Sequence, residues 1–154
     1  MLRLVLFLGL AVQGVFGSCN VGWVEYDGFC YLFGDRTLTF YDAAGMCEIY
    51  RSRLVQIDSK EENDFLALHL NSIDIEAAYI GGSSMNHEGI WEWIPSFRLF
   101  NETYTNWRTG EPNLHKTEHC AAVHKSGSGG QWNNIPCTEK YRYICKKRVC
   151  KTKK

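Results

Sequence analysis

The sequence predicts an α+β fold that disulfide bonds hold together. Two amphipathic helices are indicated in the first half of the chain, and most strand-like segments follow them. Residues 95–130 are rich in Asn, Thr, Gly and Ser and lack helical periodicity, which is typical of a long irregular loop that carries function. The chain has seven cysteines, and their density is typical of an extracellular domain.

Residues 1–17 have the pattern of a secretory signal peptide. Arg3 precedes a short apolar run, and small residues follow before Ser18. The run is shorter than the about 20 residues that a helix needs to cross a bilayer. We therefore expect a secreted, extracellular protein without membrane insertion, with its domain over 18–147 and a basic tail over 148–154.

Both predicted helices begin at a capping residue. Thr39 stands three residues before Asp42, and Ser59 opens a capping box that Glu62 closes. A stripe of apolar residues follows each cap. The charged residues around the second cap are expected to be solvated and to bind no metal: Asp58, Glu61, Glu62 and Asp64. Apolar and aromatic runs predict the strands: 28–33, 53–57, 78–82, 90–94, 131–133 and 141–145.

The cysteines are expected to form disulfides. No pair is spaced Cys-x-x-Cys and no histidine pair has a zinc-finger spacing, so a zinc site is disfavoured. Spacing alone leaves the pairing open, and an odd number leaves one free thiol or one bond to another chain. The 17 basic residues balance the 17 acidic ones, so charge points to no nucleic-acid partner.

Hard oxygen ligands collect on loop segments between residues 111 and 137. They occur as Glu111-Pro112-Asn113, as Glu118 just before Cys120, and as Asn133 and Asn134 after Trp132. Carboxylate and amide oxygens on cross-linked loops suit Ca²⁺. A cis bond at the intervening proline would direct the flanking side chains to one point.

Several motifs in this order and spacing resemble those of the C-type lectin-like domains, over nearly all of the expected mature chain. The motifs are Tyr79-Ile80-Gly81-Gly82, Trp91-Glu92-Trp93, Glu111-Pro112-Asn113, Trp132-Asn133-Asn134 and Tyr143-Ile144-Cys145. The resemblance implies two helices, antiparallel sheets and a long ligand-binding loop. It also implies three disulfides: Cys19–Cys30, Cys47–Cys145 and Cys120–Cys137.

The resemblance further implies calcium-dependent carbohydrate binding. The Ca²⁺ ligands would be Glu111, Asn113, Glu118, Asn133 and Asn134. The first four would also bind the sugar, with His115 beside it. The Glu-Pro-Asn motif implies mannose-type glycans containing mannose, N-acetylglucosamine or fucose, whose vicinal hydroxyls complete the ion's shell. Asn134 stands where the family has Asp, and because ligand charge tunes calcium affinity, we expect a weaker site.

Two other functions compete with this interpretation. The alternative is a calcium-independent, lectin-like structural or interaction protein that binds protein or mineral surfaces. An enzyme is not expected, because the His-x-x-Glu-His pattern from His115 to His119 lies in a loop without helical periodicity.

Two modifications are also expected. Asn101 begins a glycosylation sequon in a polar stretch. Cys150 lies among basic residues, which make a thiol more reactive, and it is a candidate for a disulfide-linked homodimer.

Overall fold

A computed structural model describes residues 18–113 and 115–150. The predicted signal peptide and the last four residues of the predicted basic tail lie outside these ranges.

The chain forms two helices and eight strands in its described part. The helices are α1 (Phe40–Ile49) and α2 (Lys60–Ser72). The strands are β1 (Val24–Tyr26), β2 (Phe29–Phe33), β3 (Arg53–Leu54), β4 (Ala77–Ser83), β5 (Glu92–Trp93), β6 (Cys120–His124), β7 (Trp132–Ile135) and β8 (Arg142–Arg148). Both predicted caps are present, since Thr39 Oγ1 accepts from the Asp42 amide at 3.3 Å and Ser59 Oγ from the Glu62 amide at 3.1 Å.

The strands follow the order β1-β2-β8-β4-β6-β7, with β3 added to β8 and β5 to β4. All these pairs are antiparallel except β4–β8, which is parallel, so the predicted antiparallel arrangement has one exception. The parallel pair joins Ala78 to Arg142 and Tyr79 to Tyr143. The last strand of the chain therefore lies in the middle of the sheet, between the early hairpin and the strands that carry the ligand residues.

Three disulfides cross-link the fold, and they pair as the resemblance implies: Cys19–Cys30, Cys47–Cys145 and Cys120–Cys137. The second joins α1 to the central β8. The third joins the start of β6 to the segment that follows β7. Because β6 and β7 also pair directly, the loop between them is closed both covalently and by hydrogen bonds.

An aromatic cluster fills the core beneath the long irregular segment. Trp93 stacks on Phe100 with 4.3 Å between ring centroids, and Trp132 contacts both rings edge-on. Trp107 packs against Phe100 and Trp132 from the segment itself. A Cβ at Gly82 would clash with the Phe100 ring, so only glycine allows this close approach. The irregular segment is thus held by buried rings, although it has little regular secondary structure.

Glu62 is buried, which contradicts the expectation of a fully solvated first turn in α2. Its residue is 6% exposed, and its carboxylate lies 2.7 Å from the Lys146 ammonium of β8. The Tyr31 hydroxyl donates to the same carboxylate at 2.8 Å, and the Asp58 amide donates at 2.9 Å. Burial and the Glu62 charge raise the pKa of Tyr31, which keeps its hydroxyl a donor. This network joins α2 to β2 and β8.

We predict that Glu62→Ala lowers the free energy of unfolding by about 1–3 kcal/mol, because it leaves the buried Tyr31 hydroxyl without its acceptor. It also removes the closest carboxylate from the Lys146 ammonium, which retains Asp58 at 3.0 Å. Urea denaturation measures the change. Glu61→Ala, at an exposed position in the same helical turn, is the matched control and should cost less than about 1 kcal/mol. Equal losses for the two variants would contradict a structural role for the buried pair.

Candidate functional site

Four of the predicted ligand residues meet where the 111–118 segment lies against β7. The backbone N–H of Asn113 donates to Glu111 Oε2 at 2.9 Å and to Asn134 Oδ1 at 3.0 Å. Asn134 Nδ2 reaches Glu118 Oε2 at 3.4 Å. The Glu111–Pro112 peptide bond is cis. The structure therefore brings Glu111, Asn113, Glu118 and Asn134 into one hydrogen-bonded cluster.

β7 is positioned by helix α2, through a residue that sequence reasoning missed. The Trp132 indole donates to Asn63 Oδ1 at 2.7 Å, and Asn63 Nδ2 donates to the Gly130 carbonyl at 3.1 Å. Gly130 has a φ of 62°, and a Cβ there would overlap Asn63 and Ala67, so the position requires glycine. Asn63 is fully buried. Its signal in the sequence is a polar residue spaced like the buried Leu66 and Leu70 on the same helical stripe.

Strand pairing and a disulfide then bring the ligand segments together. Asn133 and Asn134 pair with Ala122 and Ala121 of β6. Glu118 lies two residues before Cys120, where β6 begins, and Cys120 is bonded to Cys137 beyond β7. This arrangement explains why ligands separated in sequence become neighbours.

The Asn134 amide is the centre of the cluster. The residue is 3% exposed, and its Oδ1 faces the Asn113 amide N–H. Its Nδ2 faces four oxygens: Asn113 O at 3.1 Å, Asn113 Oδ1 at 3.2 Å, Glu118 O at 3.1 Å and Glu118 Oε2 at 3.4 Å. This single side chain ties the 111–118 segment to β7.

The side chain of Asn133 has an acceptor atom that is free to bind a cation. Its Oδ1 is buried and has no hydrogen-bond partner within the described part of the chain. A buried acceptor without a partner costs about 1–3 kcal/mol, so such atoms often mark a ligand position. The structure does not link Asn133 to the other four residues by a hydrogen bond.

The donor set fits Ca²⁺. Glu111 and Glu118 supply carboxylates, and Asn113 and Asn133 supply amide oxygens, which are hard ligands. Over residues 18–113 and 115–150, no three His, Cys, Asp or Glu side chains are grouped so that they could hold a metal. A calcium ion here would therefore depend on the asparagines as well as on the two carboxylates.

His115 lies at the exposed edge of the cluster. Its backbone N–H donates to Asn113 Oδ1 at 2.9 Å, which places His115 next to one of the predicted ligand residues. The His119 ring is held instead by Ser84 Oγ at 3.1 Å and the Lys116 carbonyl at 3.0 Å. A small cavity of about 50 Å³ lies between these side chains and Glu88. The segment 115–119 contains a turn and no helix, so the two histidines do not share a helical face.

The two predicted modification positions are accessible. Asn101 is exposed in a short 3₁₀ helix, Phe100–Glu102, beside a groove that Trp91 and Trp107 line. Cys150 is exposed and unpaired, two residues beyond the end of β8.

Neither helix in the described ranges is both long and apolar enough to span a membrane.

Relatives of this chain carry C-type lectin names. CD209 antigen-like protein C of Mus musculus is 34% identical over 129 residues, which cover 84% of this chain and 69% of that protein. C-type lectin domain family 4 member M of Hylobates lar is 35% identical over 129 residues, which cover 84% of this chain and 31% of that protein. The chain thus spans less than a third of the second relative's length.

Solved structures show the same fold. The carbohydrate-recognition domain of the mouse scavenger receptor C-type lectin superimposes with a TM-score of 0.77 at 30% identity, over 86% of this chain and 100% of that one. The cow CD23 carbohydrate-recognition domain, in the presence of a GlcNAc2Man3 oligosaccharide, gives 0.75 at 28% identity, over 88% and 99%. The family model for the lectin C-type domain matches residues 36–147. The sequence motifs, the fold and these likenesses together show that the chain belongs to the C-type lectin domain family.

Proposed function

We propose that this lectin domain binds mannose-type glycans in a calcium-dependent manner through the cluster around Asn113. The observation that carries the proposal is the hydrogen-bonded contact of Glu111, Asn113, Glu118 and Asn134. The unsatisfied Oδ1 of Asn133, the residue before Asn134 in β7, adds to it. A bound calcium ion would supply the electrostatic attraction for two neighbouring sugar hydroxyls.

The proposed ligand side chains differ in whether they accept or donate hydrogen bonds to the sugar. The Glu111 and Glu118 carboxylates would accept hydrogen bonds from sugar hydroxyls, while the side-chain amides of Asn113 and Asn133 would donate hydrogen bonds to the hydroxyl oxygens. An amide and a carboxylate can thus engage one hydroxyl at the same time. His115, at the rim, offers a further polar contact. The proposed role is binding without catalysis.

The order Glu-Pro-Asn is the basis for proposing mannose-type specificity, in line with the resemblance. Support comes from the related cow CD23 domain, whose structure was determined in the presence of a mannose-containing oligosaccharide. The proposal includes secretion to the extracellular space and glycosylation at the exposed Asn101.

A second candidate is calcium-independent binding of protein or mineral surfaces. The observation in its favour is that the Asn134 amide already hydrogen-bonds Asn113 and Glu118, two of the proposed calcium ligands. Retention on sugar distinguishes the two candidates.

We predict that the protein is retained on mannose-agarose in millimolar calcium and released by EDTA. Asn133→Ala should lose retention, while its melting temperature in EDTA should equal that of the wild type or lie a few °C above it, because the change removes a buried acceptor that has no partner. Affinity chromatography and thermal unfolding measure these two effects.

Asn71→Ala, at an exposed position near the end of α2, is the matched control and should remain bound. Failure of the wild-type protein to bind mannose in calcium would favour the calcium-independent candidate.

We predict that Glu111→Gln combined with Asn113→Asp shifts preference from mannose toward galactose, because it exchanges the amide and the carboxylate on either side of Pro112. Elution of the bound variant by competing free sugars measures the preference. An unchanged mannose preference would mean that these two side chains do not set the orientation of the sugar.

We also propose that Cys150 forms an intermolecular disulfide that links two copies of the chain. The wild-type protein should migrate as a dimer on non-reducing gels and as a monomer on reducing gels, and Cys150→Ser should be monomeric on both. Because two linked sites bind multivalent glycans with an avidity that can exceed the single-site affinity by about 10²-fold or more, the variant should elute earlier from mannose-agarose. A monomeric wild-type protein on non-reducing gels would exclude this linkage.

A further inference from the structure

We infer that Asn134 lets the ligand loops fold without a bound cation, because its amide makes within the chain the contacts that an acid would make only through a metal. The inference concerns the same residues as the proposed function. Its statements about calcium binding rest on the proposed calcium site, whereas its statements about folding without a cation do not.

The surroundings of the two terminal atoms of Asn134 fix its orientation. One atom faces the Asn113 amide N–H at 3.0 Å and must be an acceptor. The other has only oxygens around it, from Asn113 and Glu118, at 3.1–3.4 Å, and must be a donor. A side-chain amide meets both requirements at once, and rotating it by half a turn would break every one of these bonds.

A carboxylate at position 134 would meet only the first requirement. Its second oxygen would stand against four other oxygens, one of them on the Glu118 carboxylate. The position is 3% exposed, so water does not screen this repulsion. A cation placed among these oxygens would reverse the sign of the interaction. An acid at position 134 thus makes the order of the loops depend on a metal, and an amide removes that dependence.

The same bonds compete with calcium. The two N–H groups of Asn134 Nδ2 are shared among four oxygens, and an ion that binds Asn113 Oδ1 and Glu118 Oε2 has to displace the contacts with those two. The cost adds to the loss of one negative charge from the ligand set. The expected dissociation constant therefore falls in the range of weak extracellular calcium modules, about 10⁻⁴–10⁻³ M.

The test is thermal unfolding of the wild type and of Asn134→Asp, each in EDTA and in millimolar calcium. In EDTA the variant should melt at least about 5 °C below the wild type, because the fold loses the donated bonds and gains a buried like-charge contact. In calcium the gap should close or reverse, and calorimetry should show about tenfold tighter calcium binding by the variant. Asn20→Asp makes the same charge change at an exposed N-terminal position and should melt like the wild type in both conditions.

Two further variants separate the added charge from the lost bonds. Asn134→Ala removes the bonds without adding charge, so its loss in EDTA should be smaller than that of Asn134→Asp and calcium should not restore it. Glu118→Gln in the Asn134→Asp background removes the facing charge and should recover part of the loss in EDTA.

The inference is overturned if Asn134→Asp melts with the wild type in EDTA, or if Asn134→Ala is as destabilised as Asn134→Asp. Production of folded Asn134→Asp only when calcium is present would support it. Melting in EDTA does not involve sugar, so this test can succeed or fail independently of retention on mannose.

Discussion

The hydrogen bond from the Trp132 indole to the buried Asn63 amide is the contact on which the ligand-binding end of the molecule depends. It fixes β7 against helix α2, and the same asparagine holds the Gly130 carbonyl in the preceding turn. β7 carries Asn133 and Asn134, so a hydrogen bond between helix α2 and the residue just before them helps to set their position. Because both partners of this bond are fully buried, its loss would leave a polar atom without a partner, which costs more than the bond itself contributes.

The irregular segment that carries much of the proposed site is ordered by side-chain contacts and a disulfide more than by regular secondary structure. Two aromatic rings of the segment, Phe100 and Trp107, pack against Trp132. The buried Trp132 therefore contacts both the core and the irregular segment. The Cys120–Cys137 disulfide adds a covalent link between the start of β6 and the segment after β7. These contacts leave Asn113 exposed, while the buried Asn134 amide adds to the order of the loop.

Much of this arrangement can be predicted from the sequence, because it depends on local signals. The caps at Thr39 and Ser59 and the apolar stripes place the helices, and the motif order indicates the family and its disulfides. The burial of Glu62 could not be predicted, since its partner Lys146 is far along the chain and a charged first turn is normally solvated. The parallel pairing of β4 with β8 could not be predicted either, since it joins two strands that are far apart in the sequence. Asn63 left a signal, a polar residue within an apolar stripe, but its partner could not be read from spacing.

Asn134 shows how far one atom can change a site whose backbone stays the same. Exchanging an oxygen for an NH₂ group converts a repulsive group of oxygens into a set of hydrogen bonds, and the loops then hold their shape by themselves. Such loops are already arranged before a ligand arrives, so less ordering opposes binding. For the same reason, calcium should stabilise this cluster less, since the hydrogen bonds of Asn134 already order the loops that a cation would otherwise order. Metal affinity and metal-free loop stability thus oppose each other at position 134.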